Sequence, residues 1–105
     1  MDRITTTIKR EWLREIVARR KRLEYRALKP YWTTKFAEVI TPFELRLING
    51  MAKHAPEVTV VVKSVKKDTR RRQYELHLGK ILNVKYWDRR TETPATSKRR
   101  GRRVR

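Results

Sequence analysis

The sequence predicts a mainly β chain with short helices, an α+β fold in which five or six strands curl into a small barrel and a helix follows the first strand. Three observations carry this. Apolar side chains alternate with polar ones in several separate segments, one short stretch has helical spacing instead, and Pro, Gly and Asn punctuate the joins. A barrel suits strands of this number and length because closure removes exposed sheet edges.

Ile4, Thr6 and Ile8 alternate with polar positions and predict a short first strand. Between Arg10 and Ala18, Trp12, Leu13, Ile16 and Val17 recur at helical spacing, so one face of a short helix is apolar; Trp12 is expected to pack with it, a base-stacking platform being the alternative. A second strand is predicted from about Lys21 to Leu28. Lys29-Pro30 ends it, because proline holds its predecessor extended and cannot join a central ladder. Tyr31 to Val39 reads as a helical turn or loop. Phe43, Leu45 and Leu47 alternate on a third strand that stops at Asn49-Gly50, a turn signal. Val58 to Val65 is the strongest strand of the chain. It is followed by the basic turn Lys66, Lys67, Asp68, Thr69, Arg70, Arg71 and Arg72, and then by a long last strand, Gln73 to Trp87. On that strand Tyr74, Leu76, Leu78, Leu82, Val84 and Tyr86 fall in one phase, and Gly79 marks a bend or bulge. Beyond Asp88 the apolar pattern stops, so residues 1–90 are expected to form the single domain and residues 91–105 a disordered basic tail.

The chain has 105 residues, with 29 Lys and Arg against 11 Asp and Glu, for a net charge of +18. Residues 1–90 alone hold 23 basic against 10 acidic side chains, so the excess belongs to the folded part as well as to the tail. Charge at this density opposes compaction unless an anionic partner relieves it, and phosphate polymers are the commonest such partner. No cysteine is present, and His54 and His77 have no second ligand at helical or turn spacing, so neither a disulfide framework nor a metal site is expected. No apolar run is long enough to cross a bilayer, and no leader is recognisable. A soluble cytoplasmic monomer without cofactor, metal or membrane is expected, with RNA as partner and DNA as the alternative.

The segment Arg19 to Arg26, RRKRLEYR, places one carboxylate among cations. On an extended strand Arg22, Glu24 and Arg26 share a face, while Leu23 and Tyr25 lie on the other and are expected to be the packing side. The same pattern also describes an ordinary solvated ion pair, worth about 0 to 1 kcal/mol. Further on, Tyr31, Trp32 and Phe36 are interleaved with Lys29, Thr33, Thr34 and Lys35. Such rings either stack bases, at about 1 to 3 kcal/mol each, or cap the open end of the barrel.

Written as a pattern, a helix followed by K-x-x-E-x-R, with a Lys after the first strand and Gly-Lys in the last, this chain resembles an ASCH domain of the PUA-like superfamily, of the small phage and bacterial type. Lys9, Lys21, Glu24, Arg26, Gly79 and Lys80 carry the resemblance, which extends over Leu28 to Phe36 and spans about residues 3–88. The family usually has Gly where this chain has Arg19, a position where a positive φ ends the helix, and often Pro where it has Arg10. The resemblance implies a PUA-like barrel with a cleft at its mouth lined by the motif. In that cleft Lys9, Lys21 and Arg26 are expected to contact phosphate or base edges, and Glu24 to accept from an amine or ribose hydroxyl. Tyr31, Trp32, Lys66, Lys67, Arg70, Arg71 and Arg72 are expected to add contacts.

The alternative is a metal-independent hydrolase, either a ribonuclease or an acetylcytidine amidohydrolase, with Lys21 and Glu24 as catalytic residues. Amidohydrolases of the superfamily carry Thr at the position of Glu24, and a carboxylate there offers no alkoxide nucleophile. A ribonuclease asks only that Glu24 take a proton while Lys21 and Arg26 stabilise the phosphate.

Overall fold

The structure is a computed structural model and describes residues 1–95. Its order is β1 (Arg3–Thr7), α1 (Arg10–Val17), β2 (Leu23–Ala27), α2 (Pro30–Ala37), β3 (Phe43–Ile48), β4 (Glu57–Asp68), β5 (Gln73–Lys85), β6 (Trp87–Asp88) and β7 (Thr93–Pro94). Five strands form one curled sheet, a half-barrel, in the order β1-β3-β4-β5-β2. β1 runs parallel to β3, and the other neighbours in the sheet are antiparallel. The expected closed barrel is therefore an open one. β1 and β2 are its two edges, and the seam between them is bridged by a side chain, since Arg26 Nη2 on β2 donates to the Thr7 carbonyl at the end of β1 over 3.0 Å.

The concave side is filled by Ile4, Leu13, Ile16, Phe43, Leu45, Leu47, Val58, Val60, Val62, Leu76 and Leu78, each at most 5% exposed. Helix α1 lays Leu13, Ile16 and Val17 onto this core. Trp12, about 100° around the helix from Leu13, stays 42% exposed and does not join the stripe as its spacing suggested. Helix α2 covers one end of the core. Trp32 and Phe36 stack at 5.4 Å, Phe36 meets the Tyr74 ring edge-on at 4.9 Å, and Thr33 Oγ1 shares a 2.7 Å hydrogen bond with the Tyr74 hydroxyl. Trp32 and Phe36 thus act as the barrel cap, while Tyr31 remains exposed.

The single apolar phase expected along β5 breaks near Gly79. Val62 pairs with Leu78 but Val60 with Ile81, so β5 carries an extra residue there, and a second irregularity follows between Val60 and Thr59. An extra residue reverses which face a strand presents, and Leu82 accordingly stands exposed although Leu78 is buried. A Cβ added at Gly79 would lie 3.0 Å from Lys63 Cγ, so a side chain there would crowd the Lys63 stem.

The chain also stays in the fold past residue 90. Trp87 is buried, β6 pairs with β7, and Arg20 holds both Glu15 of α1 and Glu92 of the hairpin, at 2.9 and 3.0 Å. Asp88 accepts from the backbone of Thr91 and Arg90, which lowers its pKa and shapes the turn. The remainder of the expected tail, 96–105, lies outside the described residues. No helix among the described residues is long and apolar enough to cross a membrane.

On the far side of the sheet Arg46 grips Glu57 with two hydrogen bonds of 2.9 Å. Those bonds hold the Glu57 carboxyl below the usual carboxylate range against the opposing effect of burial. Folded Glu57 thus binds a proton less readily than unfolded Glu57. Its contribution to stability is complete above the unfolded pKa near 4.3 and is lost as pH falls through the folded value. We expect unfolding free energy in urea to drop between about pH 5 and pH 3. Glu57→Gln should lower stability at pH 7 and flatten part of that drop; an unchanged acid limb contradicts the assignment.

Candidate nucleic-acid interface

Helix α1 ends in a tight reversal. Ala18 and Arg19 N–H groups bond to the Arg14 and Ile16 carbonyls, the Arg20 and Lys21 N–H groups both reach the Glu15 carbonyl, and Arg19 takes φ +66°. A left-handed residue is what the turn needs after the helix, and arginine fills it at the cost of about 1 kcal/mol or more relative to glycine. The Arg19 guanidinium then donates to the Gly79 carbonyl over 2.6 Å, tying the turn to β5.

The chain leaves this turn directly into β2, where the burial pattern is the reverse of the one the sequence suggested. Glu24 is 5% exposed and Arg26 is half-buried, whereas Tyr25 is 42% exposed. The polar face turns inward because it meets polar partners at the seam. Glu24 Oε2 lies 2.7 Å from Arg26 Nη2, Glu24 Oε1 lies 3.6 Å from Lys21 Nζ, and Arg26 also reaches the Thr7 carbonyl. A carboxylate this buried is tolerable only when paired. Arg26 is further placed with its Cζ 5.2 Å from the Trp32 ring, while its Nε is buried without a hydrogen-bond partner.

Lys9, the residue before α1, lies across the cleft from β2. Its carbonyl caps the helix by accepting from Trp12 and Leu13 N–H, leaving the ammonium exposed. Asn49 fixes this corner, donating to the Ile8 carbonyl at 3.0 Å and accepting from Arg10 Nε at 2.9 Å. Together Lys9, Trp12, Glu24, Tyr25, Arg26 and Asn49 line a cleft of about 500 Å³. Lys21 stands at its side, its Nζ 5.1 Å from the Trp12 ring and 5.2 Å from the Tyr25 ring.

The structure therefore brings Lys9, Lys21, Glu24 and Arg26 together, as the resemblance implied. Of the two aromatic rings beside them, sequence reasoning favoured core packing over base stacking for Trp12 and took Tyr25 as the packing side of its strand. The available signal was the phase of Glu24: a carboxylate and an arginine two apart can face inward together when each neutralises the other, which forces Tyr25 outward.

Other expected residues lie elsewhere. Lys66 and Lys67 are exposed near the end of β4, opposite Glu75 and Tyr74, and Arg70, Arg71 and Arg72 are exposed in the β4–β5 turn, which ends four residues before Leu76, the partner of Glu24 on β5. They form a separate basic patch. Trp32 belongs to the α2 cap, with Phe36 and the Arg26 guanidinium on its ring, and Tyr31 is next to it with Lys35 Nζ 5.7 Å from its ring. No cluster of three or more His, Asp or Glu side chains suited to a metal ion occurs among the described residues. Comparisons with protein-family models, with curated proteins and with solved structures return no match to this chain.

Proposed function

We propose that the chain is a nucleic-acid-binding module of the ASCH type within the PUA-like superfamily, and that it takes single-stranded RNA at the cleft between α1 and β2. The observation that carries this reading is the juxtaposition of two exposed rings, Trp12 and Tyr25, with the cations Lys9, Lys21 and Arg26 around one oriented carboxylate. Rings and cations in one cleft match the two faces of a nucleotide. Bases stack on aromatic surfaces, phosphates are neutralised by Lys and Arg, and a carboxylate accepts from an exocyclic amine or a 2′-hydroxyl.

Binding is favoured over turnover because both Glu24 oxygens already face cations, which suits a positioned acceptor better than a base that must take up a proton. The basic patch at Lys66 to Arg72 adds affinity that does not depend on sequence.

Trp12→Ala and Tyr25→Ala test the reading with little effect on the fold, since both side chains are largely outside the core. Each lost stack is expected to weaken binding of a short single-stranded RNA by about 1 to 3 kcal/mol, which is roughly 5- to 150-fold. Fluorescence anisotropy with a labelled oligonucleotide reads this directly. Affinity unchanged in both variants removes the cleft from the account.

A further inference from the structure

A second groove lies on the other side of the α1–β2 turn. It has a volume of about 700 Å³ and is lined by the C-terminal half of α1, the Gly79 bulge of β5 and the β6–β7 hairpin. Six cations surround it: Arg14, Arg19, Arg22, Lys63, Lys80 and Arg89. Among the described residues, only the Arg19 side chain of these six makes a hydrogen bond, to the Gly79 carbonyl, and none has a carboxylate partner. The one carboxylate lining the groove, Glu92, is already held by Arg20.

Unpaired cations gathered around one concavity repel each other and raise the local concentration of anions. The wall adds a second observation. Trp87 is 7% exposed and its indole N–H is buried without a hydrogen-bond partner, an arrangement that native interiors seldom leave unexplained. A volume of this size matches that of a site for a small organic ligand or a nucleotide unit.

Shared residues link the groove to the motif cleft. Between them lies a hollow of about 420 Å³ that shares Arg22 with the groove, shares Trp12 and Tyr25 with the cleft, and has Lys21 in its lining. All three depressions therefore wrap the same turn between α1 and β2. We propose that they form one track for a single nucleic-acid strand, with bases engaged at Trp12 and Tyr25 and the downstream or upstream backbone lying in the second groove against Arg22, Lys63, Lys80 and Arg89. This rests on the reading of the motif cleft given above and adds the path and length of its ligand.

A track of two linked sites makes affinity depend on strand length in a specific way. A trinucleotide fills the cleft alone, whereas an oligonucleotide of about 8 to 12 residues reaches the groove as well, within the range of site sizes for small single-strand-binding domains. The test uses the full chain with labelled oligouridines of 3 and 12 nucleotides at fixed low salt. Lys80→Glu/Arg89→Glu reverses two exposed groove cations, and Lys53→Glu/Lys85→Glu makes the same charge change at exposed residues that line none of these depressions.

The groove variant is expected to bind the 12-mer at least tenfold more weakly than the control variant does, while the two variants bind the 3-mer within about twofold of each other. Equal losses for the 12-mer in both variants overturn the track and leave the cleft standing. Equal extra loss for 3-mer and 12-mer in the groove variant also overturns it, because the groove is then not a site reached only by longer strands. If neither length binds the wild type, the cleft reading fails and the track with it.

Discussion

Arg26→Ala is expected to destabilise the fold by about 3 to 5 kcal/mol, because it leaves Glu24 buried without its short-range partner. Three contacts go together: the 2.7 Å pair with Glu24, the 3.0 Å bond to the Thr7 carbonyl across the seam, and the guanidinium over Trp32. Lys21, 3.6 Å from the other oxygen, offsets part of the loss and keeps the effect toward the lower end. In a domain of this size the change corresponds to a fall in Tm of about 10 °C or more. Adding Glu24→Gln should recover a good share of the stability, since the buried charge is then gone, and urea unfolding of the two single variants and the double variant measures that coupling. A loss below about 1 kcal/mol for Arg26→Ala places the pair among ordinary solvated ion pairs and contradicts the structure of the seam.

The second large effect is that of salt. If the cleft, the hollow and the basic turn together neutralise about five phosphates, log affinity for a single strand falls with log salt at a slope near −3.5. Between 50 and 200 mM salt the affinity then drops by roughly 100-fold. Reverse titration over that range reads the slope, and a slope near zero removes nucleic acid from the account of the +18 charge.

Much of the architecture was legible because it follows from local rules. Alternation at Phe43, Leu45 and Leu47 gave β3 its buried face, Lys29-Pro30 closed β2, and Asp68 to Arg72 turned β4 into β5. What escaped were features set by partners distant in sequence. The inward phase of Glu24 depends on Arg26 finding the Thr7 carbonyl on the other edge of the sheet, and no residue within β2 announces it. The phase reversal after Gly79 depends on β4 taking an uneven register against β5. The C-terminal hairpin is polar and short, and it stays in the fold because Trp87 reaches the core and Arg20 holds Glu92 from the α1–β2 turn.

The site divides in the same way. Lys21, Glu24 and Arg26 stood out in the sequence as one carboxylate among cations, and Lys9 joined them only through the family pattern they resemble. Trp12 and Tyr25 did not stand out, since a tryptophan on a helical stripe and a tyrosine beside a leucine on a strand both read as core. Arg22, Lys63, Lys80 and Arg89 come from four separate places in the chain, and only the fold gathers them.

Photo-crosslinking shows whether nucleic acid is held at the cleft between α1 and β2. An oligonucleotide carrying 4-thiouridine is bound to the full chain at low salt, irradiated and digested, and the adducts are located by mass spectrometry. Adducts are expected to concentrate on Trp12 and Tyr25 and on the lysines beside them, Lys9 and Lys21, and to be suppressed by excess unlabelled RNA. Adducts confined to Lys66 to Arg72 or to residues 96–105, with none at the cleft, contradict binding there.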